Sequence, residues 1–444
     1  MFSVILKHAT KYLTGSVIAG GSTLLMTKYY TIVFSPVDFG VLALYLVMFQ
    51  YVVTLASLNF DNGSARLYFD YKDSKRDEYL STIFWLITFI SITVLVFGVF
   101  FMKPISNWIS PNSQTIYFIT LVAGVSAVYV SFLTRVLYNE NKSTSLLKHT
   151  IFQTFINHTS SVIFISIFHL GILGRMSGQG LGYILNTITL INEFSKENIF
   201  NIKMVFNKDM ARETFMLTLP SMISILLGVA FVYVDRFFLK YFMGDSAVGI
   251  YTLGYLLGQG LSMVYEAISQ AILPKAYNDM SSSYEKARIE LEKFSYKYYV
   301  GLIIITLVIS SLSHVIVAIF SNDNYEQAAT VMPFVMAGFM MGGFYKIPSL
   351  VLTYHKVVWF YPFLAIFSFG TNALLNLWFI PLYGMIGSAF ASFVGLFIYS
   401  TALQIFSFKY LSNKYKASII FIYTLLFIII FYLFQVRIFK ICVE

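Results

Sequence analysis

The sequence predicts an all-α integral membrane protein, with two pseudo-symmetric six-helix lobes around a central cavity and one extra C-terminal helix. Three observations predict this class: a shortage of charge, a series of apolar segments, and a repeated pair of glycine-containing turns. Of the 444 residues, 58% are hydrophobic and 11% are charged, whereas soluble domains carry about 25% charged residues. The chain therefore has too little polar side-chain area to cover a water-exposed surface.

The apolar segments are each long enough to cross a bilayer, which requires about 20 predominantly apolar residues. No connection between them is long enough to form a separate soluble domain. We predict 12 to 14 transmembrane helices, and we identify thirteen segments. They are 12–34, 39–60, 80–102, 114–135, 150–172, 179–195, 214–238, 248–273, 298–320, 329–354, 359–380, 385–407 and 417–435.

The distribution of Lys and Arg predicts the orientation. With a cytoplasmic N-terminus, 22 of the 30 basic residues fall in cytoplasmic segments, five in external segments and three inside helices. Cytoplasmic loops of membrane proteins carry such an excess, so the net charge of +9 does not indicate a nucleic-acid partner. The chain begins without a recognisable cleavable signal peptide. Its one cysteine, Cys442, excludes a disulfide framework or a cysteine metal site, and we predict neither a metal nor a cofactor.

Two turns recur at the same spacing. PVDFGVLALY (36–45) resembles DSAVGIYTL (245–253), so that Gly40 and Gly249 are 209 residues apart. LGRMSGQG (173–180) resembles LYGMIGSA (382–389), and this pair of turns has the same offset, taken between Gly178 and Gly387.

This offset predicts an N-lobe at 1–205, a C-lobe at 206–410 and an additional helix with a tail at 411–444. Because six is an even number, the two halves have the same orientation in the membrane. Transporters built from parallel repeats bind their substrate near the midplane between the halves. Chance similarity of two glycine turns is the alternative explanation.

Several segments in a fixed order carry a resemblance to a known family. They are SPVDFGVLALY (35–45), FDNGSARLYFDY (60–71), VDRFFLKYFMGDSAVGIYTLGY (234–255), AILPKAYNDM (271–280) and NLWFIPLYGMIGSAFAS (376–392). Over about residues 5–410 the chain resembles the Wzx-type polysaccharide flippases, which move O-antigen or capsule repeat units. These belong to the MOP exporter superfamily, together with the multidrug and toxin extruders and the lipid II flippases.

The resemblance implies a transporter rather than an enzyme. It would move undecaprenyl-diphosphate-linked oligosaccharide repeat units across the bacterial cytoplasmic (inner) membrane by alternating access, for lipopolysaccharide or capsule synthesis. Its partners would be the lipid-linked oligosaccharide, membrane lipids and other polysaccharide assembly proteins. A cation-coupled multidrug exporter is the alternative. A membrane polysaccharide polymerase is disfavoured because the sequence has no large external loop, DxD or HExxH motif.

Three cations interrupt the apolar helices: Lys28, Arg236 and Lys346. An ionisable side chain at mid-membrane costs about 2.5–3.5 kcal/mol on insertion scales, so such residues usually face a cavity or a partner. Lys28 and Arg236 occupy equivalent positions of the two halves if one residue is inserted. We predict that the three cations hold the diphosphate of the lipid carrier. Snorkelling of the lysines, or a structural pair between Arg236 and a carboxylate, is the alternative.

The sequence offers fewer acidic than basic candidates for a functional site within the membrane helices. Asp235 and Glu266 are candidates for coupling to a proton or sodium ion, with an internal ion pair as the alternative. Asp61 and Arg66 begin a predicted cytoplasmic loop and are candidates for a cytoplasmic gate.

Overall fold

A computed structural model describes residues 2–71, 74–197 and 199–443, and within these ranges the chain forms helices and no β-strand. The α-helices are α1 (Phe2–Val33), α2 (Pro36–Ser57), α3 (Phe60–Leu67), α4 (Ser74–Phe100), α5 (Met102–Ile109), α6 (Gln114–Asn139), α7 (Ser143–Ser166), α8 (Gly171–Lys196), α9 (Lys208–Met243), α10 (Asp245–Ser282), α11 (Tyr284–Ser311), α12 (Ser313–Phe320), α13 (Ala328–Phe344), α14 (Lys346–Tyr354), α15 (Tyr361–Ser407) and α16 (Asn413–Val443).

Each predicted span overlaps helical structure, so the prediction of an all-α membrane protein is confirmed. The span 150–172 is the least accurate, because α7 ends at Ser166 and α8 begins at Gly171. The predicted span 298–320 is divided between α11 and α12 at Leu312, and 329–354 is divided between α13 and α14 at Tyr345. The spans 359–380 and 385–407 are the two arms of α15, which turns sharply at Gly384.

Nine helices in the described part of the chain are long and apolar enough to cross a membrane. The helices α7 and α8 do not reach that hydropathy, because polar residues such as His149, Gln153 and Gln179 interrupt them. They nevertheless pack as a pair: α8 contacts both α6 and α7, and α1 contacts α7. Packing against neighbouring helices hides these polar faces from lipid.

The chain divides by its internal contacts into two compact units. Unit 1 comprises Met1–Phe34 and Val41–Val229, and unit 2 comprises Ser35–Gly40 and Ala230–Glu444. The division falls inside α9, whereas the predicted lobe boundary at residue 205 follows the sequence repeat and stays a prediction. In unit 2 the most enclosed helix is α13, which packs against α10, α11 and α15.

The first pair of repeated glycines lies in direct contact within unit 2. A Cβ atom added at Gly40 in α2 would overlap the carbonyl oxygen of Asp245, the first residue of α10. One added at Gly249 in α10 would overlap the carbonyl oxygen of Pro36, the first residue of α2. Each glycine therefore packs on the first turn of the helix that holds the other.

The second pair of turns has a different register. Gly171 begins α8 with a φ of +53°, and Gly384 turns α15 with a φ of +57°. These glycines are 213 residues apart, as are Gly174 and Gly387, where an added Cβ would press on the backbone of the preceding helix. The predicted pairing of Gly178 with Gly387 is thus displaced by four residues, about one helical turn.

The glycine contact yields a test. We expect Gly40→Ala and Gly249→Ala to destabilise the chain by about 1–3 kcal/mol, because the added methyl group overpacks a backbone contact. The measurement is the thermal unfolding midpoint of the full chain in detergent. Gly370→Ala is the matched control, because nothing lies within 4 Å of its added Cβ, and helix propensity then favours alanine by about 0.5–1 kcal/mol. Equal midpoints for Gly40→Ala and Gly370→Ala would contradict the contact.

Candidate functional site

Asp235 is a carboxylate enclosed in unit 2, with only 1% of its surface exposed. Its Oδ2 accepts hydrogen bonds from the Tyr251 hydroxyl at 2.5 Å and from Ser392 Oγ at 2.7 Å. Its Oδ1 accepts a hydrogen bond from Asn376 Nδ2 at 3.0 Å. A carboxylate taken out of water is tolerated only when such donors replace its hydration. Three side chains from α10 and α15 therefore hold it in place.

The donors from α15 reach this carboxylate because of the turn at Gly384. Asn372 and Asn376 are four residues apart on the first arm, and Ser388 and Ser392 are four apart on the second, so each pair shares one helix face. The turn brings the faces together: Asn372 Nδ2 donates to Ser392 Oγ at 3.0 Å, and Ser388 Oγ donates to Asn376 Oδ1 at 2.8 Å. Sequence reasoning missed these four residues, although polar pairs at a spacing of four in an apolar helix are a visible signal.

The cluster offers carboxylate, hydroxyl and amide oxygen atoms on three helices. Oxygen atoms are the ligands of hard cations, and a carboxylate can also take up a proton. Among the residues that the structure describes, no group of three His, Cys, Asp or Glu could hold a metal ion. The oxygen ligands that this cluster offers therefore fit a monovalent cation or a proton better than a transition metal.

Arg236 follows Asp235 in α9 and is 3% exposed. Its guanidinium carbon lies 4.0 Å from the ring centroid of Tyr255 and 5.4 Å from those of Tyr233 and Tyr251. Its Nη1 donates to the Val232 carbonyl oxygen at 2.6 Å. Aromatic faces attract a guanidinium and compensate part of its lost hydration. Arg236 was predicted to line a substrate cavity, and the structure encloses it among tyrosines.

Lys346 and Glu266 come together in unit 2, although they are 80 residues apart in the sequence. Lys346 Nζ, at the start of α14, lies 2.6 Å from Glu266 Oε1 in α10. Sequence analysis gave these residues separate roles, in substrate binding and in ion coupling. The ion pair borders a cavity of about 300 Å³.

Three of the predicted site residues, Lys28, Asp61 and Arg66, belong to unit 1. Lys28 lies in α1 with a partly exposed side chain. Asp61 lies in α3, is 8% exposed, and accepts a hydrogen bond from Ser131 Oγ at 2.6 Å. The backbone of Arg66 is also in α3, but its side chain lies outside the described residues. The cytoplasmic gate of Asp61 and Arg66 therefore stays a prediction.

Arg175 is a buried cation within LGRMSGQG, the segment that the sequence analysis interpreted as a turn. The turn comes earlier, at Gly171, so Arg175 lies in α8 and is 9% exposed. Its Nη1 donates to Asn157 Oδ1 at 3.0 Å, and its guanidinium carbon lies 5.3 Å from the ring centroid of Tyr30. A polar stripe on α7 at a spacing of four was the available signal. It consists of Ser145, His149, Gln153, Asn157 and Ser161.

Comparison with known proteins identifies a family and two relatives that are similar to this chain. The profile of a family described as "Polysaccharide biosynthesis protein" matches residues 5–276. The chain is 26% identical over 238 residues to the capsular polysaccharide biosynthesis protein CapF of Staphylococcus aureus, a match that covers 51% of this chain and 55% of CapF. It is 23% identical over 299 residues to the uncharacterized membrane protein MJ1375 of Methanocaldococcus jannaschii, covering 63% of this chain and 68% of that protein.

Two solved structures share the fold. The lipid II flippase MurJ, in an inward closed conformation, superposes with a TM-score of 0.74 at 16% identity, covering 99% of this chain and 100% of MurJ. An inward-facing multidrug resistance MATE family transporter of the MOP superfamily superposes with a TM-score of 0.72 at 12% identity. The match covers 87% of this chain and 93% of the transporter. At these identities the likeness is one of fold. The family resemblance predicted from the motifs is confirmed by the profile match over residues 5–276.

The hydrogen bonds of Asp235 yield a second test. We expect Asp235→Leu to destabilise the chain by about 1–3 kcal/mol, because it leaves the buried donors of Tyr251, Ser392 and Asn376 without an acceptor. Thermal unfolding in detergent measures the change. The exposed Asp209, also in α9, is the control, and Asp209→Leu should stay within about 0.5 kcal/mol of the unchanged chain. An unchanged midpoint for Asp235→Leu would count against the cluster.

Proposed function

The chain belongs to the family of polysaccharide biosynthesis proteins, and we propose that it is a flippase for undecaprenyl-diphosphate-linked oligosaccharide repeat units. It carries them from the cytoplasmic to the external leaflet of the bacterial cytoplasmic membrane, with its own N-terminus on the cytoplasmic side. It does so by alternating access and without a chemical reaction. The similarity to CapF supports a role in polysaccharide synthesis.

The sign of the charges within the helices carries this proposal. Lys28, Arg236 and Lys346 place positive charge in membrane helices of a transporter fold. The carboxylates of Asp61 and Asp235, in contrast, are already bonded to hydroxyl or amide donors. A diphosphate that crosses a bilayer needs positive counter-charge, whereas a cationic drug would need carboxylates that it can reach. Asp235 is 1% and Asp61 8% exposed, and the more exposed Glu266 is paired with Lys346. The arrangement therefore favours an anionic cargo.

The three predicted cations take different parts in this proposal. Lys28 and Lys346 have partly exposed side chains, so we assign the direct contacts with the diphosphate to them. Arg236 is enclosed by Tyr233, Tyr251 and Tyr255. Its part is to contribute positive potential from inside unit 2, because charges in a low-dielectric interior act over longer distances than in water.

We assign the coupling ion to Asp235 rather than to Glu266. Asp235 is held by the hydroxyl groups of Tyr251 and Ser392 and by the amide nitrogen of Asn376, whereas Glu266 is paired with Lys346. A cation or proton that binds the Asp235 cluster would replace donors that come from both arms of α15 and from α10. Binding would thus change the packing of three helices, which is how an ion biases one conformation over another.

A cation-coupled exporter of drugs or other small molecules is the alternative function. It is supported by the fold shared with the MATE family transporter. The two functions differ in what accumulates when the protein is lost: lipid-linked repeat units at the cytoplasmic leaflet, or drugs inside the cell.

Cells that lack the chain provide the test of transport. We expect surface polysaccharide to be restored by the unchanged chain and by Lys103→Ala, whose exposed lysine lies in α5. Lys28→Ala and Lys346→Ala should each lower export by about tenfold or more at equal protein level, because each removes a charge-assisted contact. Full activity of both variants would end the diphosphate role. Normal polysaccharide together with drug hypersensitivity in the deletion strain would instead establish the exporter.

The ion assignment has its own measurement. We expect the unfolding midpoint of the purified chain to rise with sodium relative to choline at constant ionic strength. At ten times the dissociation constant, the ion would stabilise the chain by about 1.4 kcal/mol. Asp235→Asn should abolish that difference, while Glu266→Gln should keep it. If the midpoint responds to pH but not to sodium, the coupling ion is a proton, and if Glu266→Gln abolishes the response, the assignment to Asp235 is wrong.

A further inference from the structure

We propose that the cavity beside Lys346 is a subsite for the phosphate end of a lipid, and that Glu266 is its built-in counter-ion, which leaves when the phosphate binds. The inference rests on the proposed function and extends it: it names where the lipid carrier is held and what competes with it. The site lies entirely within unit 2, between α10, α11 and α14.

The two members of this ion pair differ in how far their side chains are enclosed. The Lys346 side chain is 22% exposed, and its Nζ lies 5.3 Å from the ring centroid of Tyr345 and 5.6 Å from that of Tyr265. The Glu266 side chain is 45% exposed. The carboxylate therefore has more open space into which it can rotate than the ammonium group, and we infer that Glu266 is the member of the pair that is displaced.

The lining of the cavity selects the class of ligand. Beside the ion pair lie the hydroxyl groups of Ser269, Tyr277, Ser349 and Thr353, which can donate to phosphate oxygens. The Tyr298 hydroxyl donates to the Gly343 carbonyl oxygen instead. The rest of the wall is aliphatic, formed by Ile268, Ile272, Leu273, Ile347 and Leu350. A free phosphate or a phosphorylated sugar would leave this aliphatic wall without a partner. A phosphate joined to a hydrocarbon chain satisfies both parts of the lining.

Charge favours the replacement of Glu266 by a diphosphate as the partner of Lys346. A diphosphate carries more negative charge than one carboxylate and offers more acceptor oxygens, so it competes well for the ammonium group of Lys346. Without a ligand, Glu266 prevents Lys346 from remaining as an uncompensated cation in a half-buried site. The same carboxylate weakens binding, because the lipid has to displace it. A site that releases its cargo benefits from such a competitor.

The test is a thermodynamic cycle on the purified full chain in detergent, with farnesyl diphosphate as the probe. We expect Lys346→Met to weaken its binding by about tenfold or more. Glu266→Gln should tighten binding about fivefold or more, because the competing charge is gone. The double variant Glu266→Gln with Lys346→Met removes the pair without leaving a charge. It should unfold near the midpoint of the unchanged chain and still bind weakly.

Two controls define the site and the ligand. Lys240→Met removes another partly buried lysine of unit 2, whose Nζ lies 2.5 Å from Asp245 Oδ1, and it should leave the affinity for farnesyl diphosphate unchanged. Inorganic pyrophosphate should bind more weakly than farnesyl diphosphate, since it cannot fill the aliphatic wall. Equal affinities of the two probes would overturn the assignment to a lipid.

A purely structural ion pair predicts the opposite pattern. In that case Glu266→Gln weakens binding or leaves it unchanged, and the double variant recovers both stability and binding, which would overturn the exchange. If the chain exports polysaccharide while its affinity for farnesyl diphosphate ignores both substitutions, the subsite is wrong and the flippase stands. If the unchanged chain restores no polysaccharide at all, it is the proposed function that fails.

Discussion

A carboxylate that lies among apolar helices has to find every hydrogen-bond donor inside the protein, because neither lipid nor water supplies one there. In unit 2 this requirement falls on Asp235, and its donors come from Tyr251 on α10 and from Asn376 and Ser392 on the two arms of α15. The positions of three helices are thereby tied to one side chain of α9. The sharp turn of α15 is part of the same arrangement, since without it Ser392 could not face Asn372.

The same requirement governs the cations, but different partners meet it. Arg236 is compensated by tyrosine faces, by one carbonyl oxygen and by the charge of the adjacent Asp235, and Arg175 by an amide and a tyrosine face. Lys346 has a carboxylate partner, Glu266, and that partner is the more exposed of the two. A cation compensated by neutral groups keeps its full charge toward a ligand, whereas one paired with an acid must first exchange it. The flippase proposed here would use both kinds.

Features of the fold and the site were predictable from the sequence where they depend on neighbouring residues, and less so where they depend on residues far apart in the chain. The helices were predictable because a bilayer span requires about 20 apolar residues in succession, which is a local property. The contact of Gly40 with Gly249 was anticipated only as a repeat, since sequence similarity does not say that two equivalents touch. Arg175 was misplaced because LGRMSGQG reads as a turn, whereas the left-handed backbone falls earlier, at Gly171. The pairing of Lys346 with Glu266 depends on the packing of α14 on α10, which no local pattern encodes.

The hairpin of α15 also bears on how the chain enters the membrane during synthesis. Its arms are bonded to each other through Asn372 with Ser392, Asn376 with Ser388, and Ser368 with the carbonyl oxygen of Gly395. An arm inserted alone would bring unpaired amides and hydroxyls into hydrocarbon. Inserted as a folded pair, the arms have these groups already satisfied. Biogenesis would therefore favour release of residues 361–407 from the translocon as one unit. This unit would then pack against α9 and bond the carboxylate of Asp235.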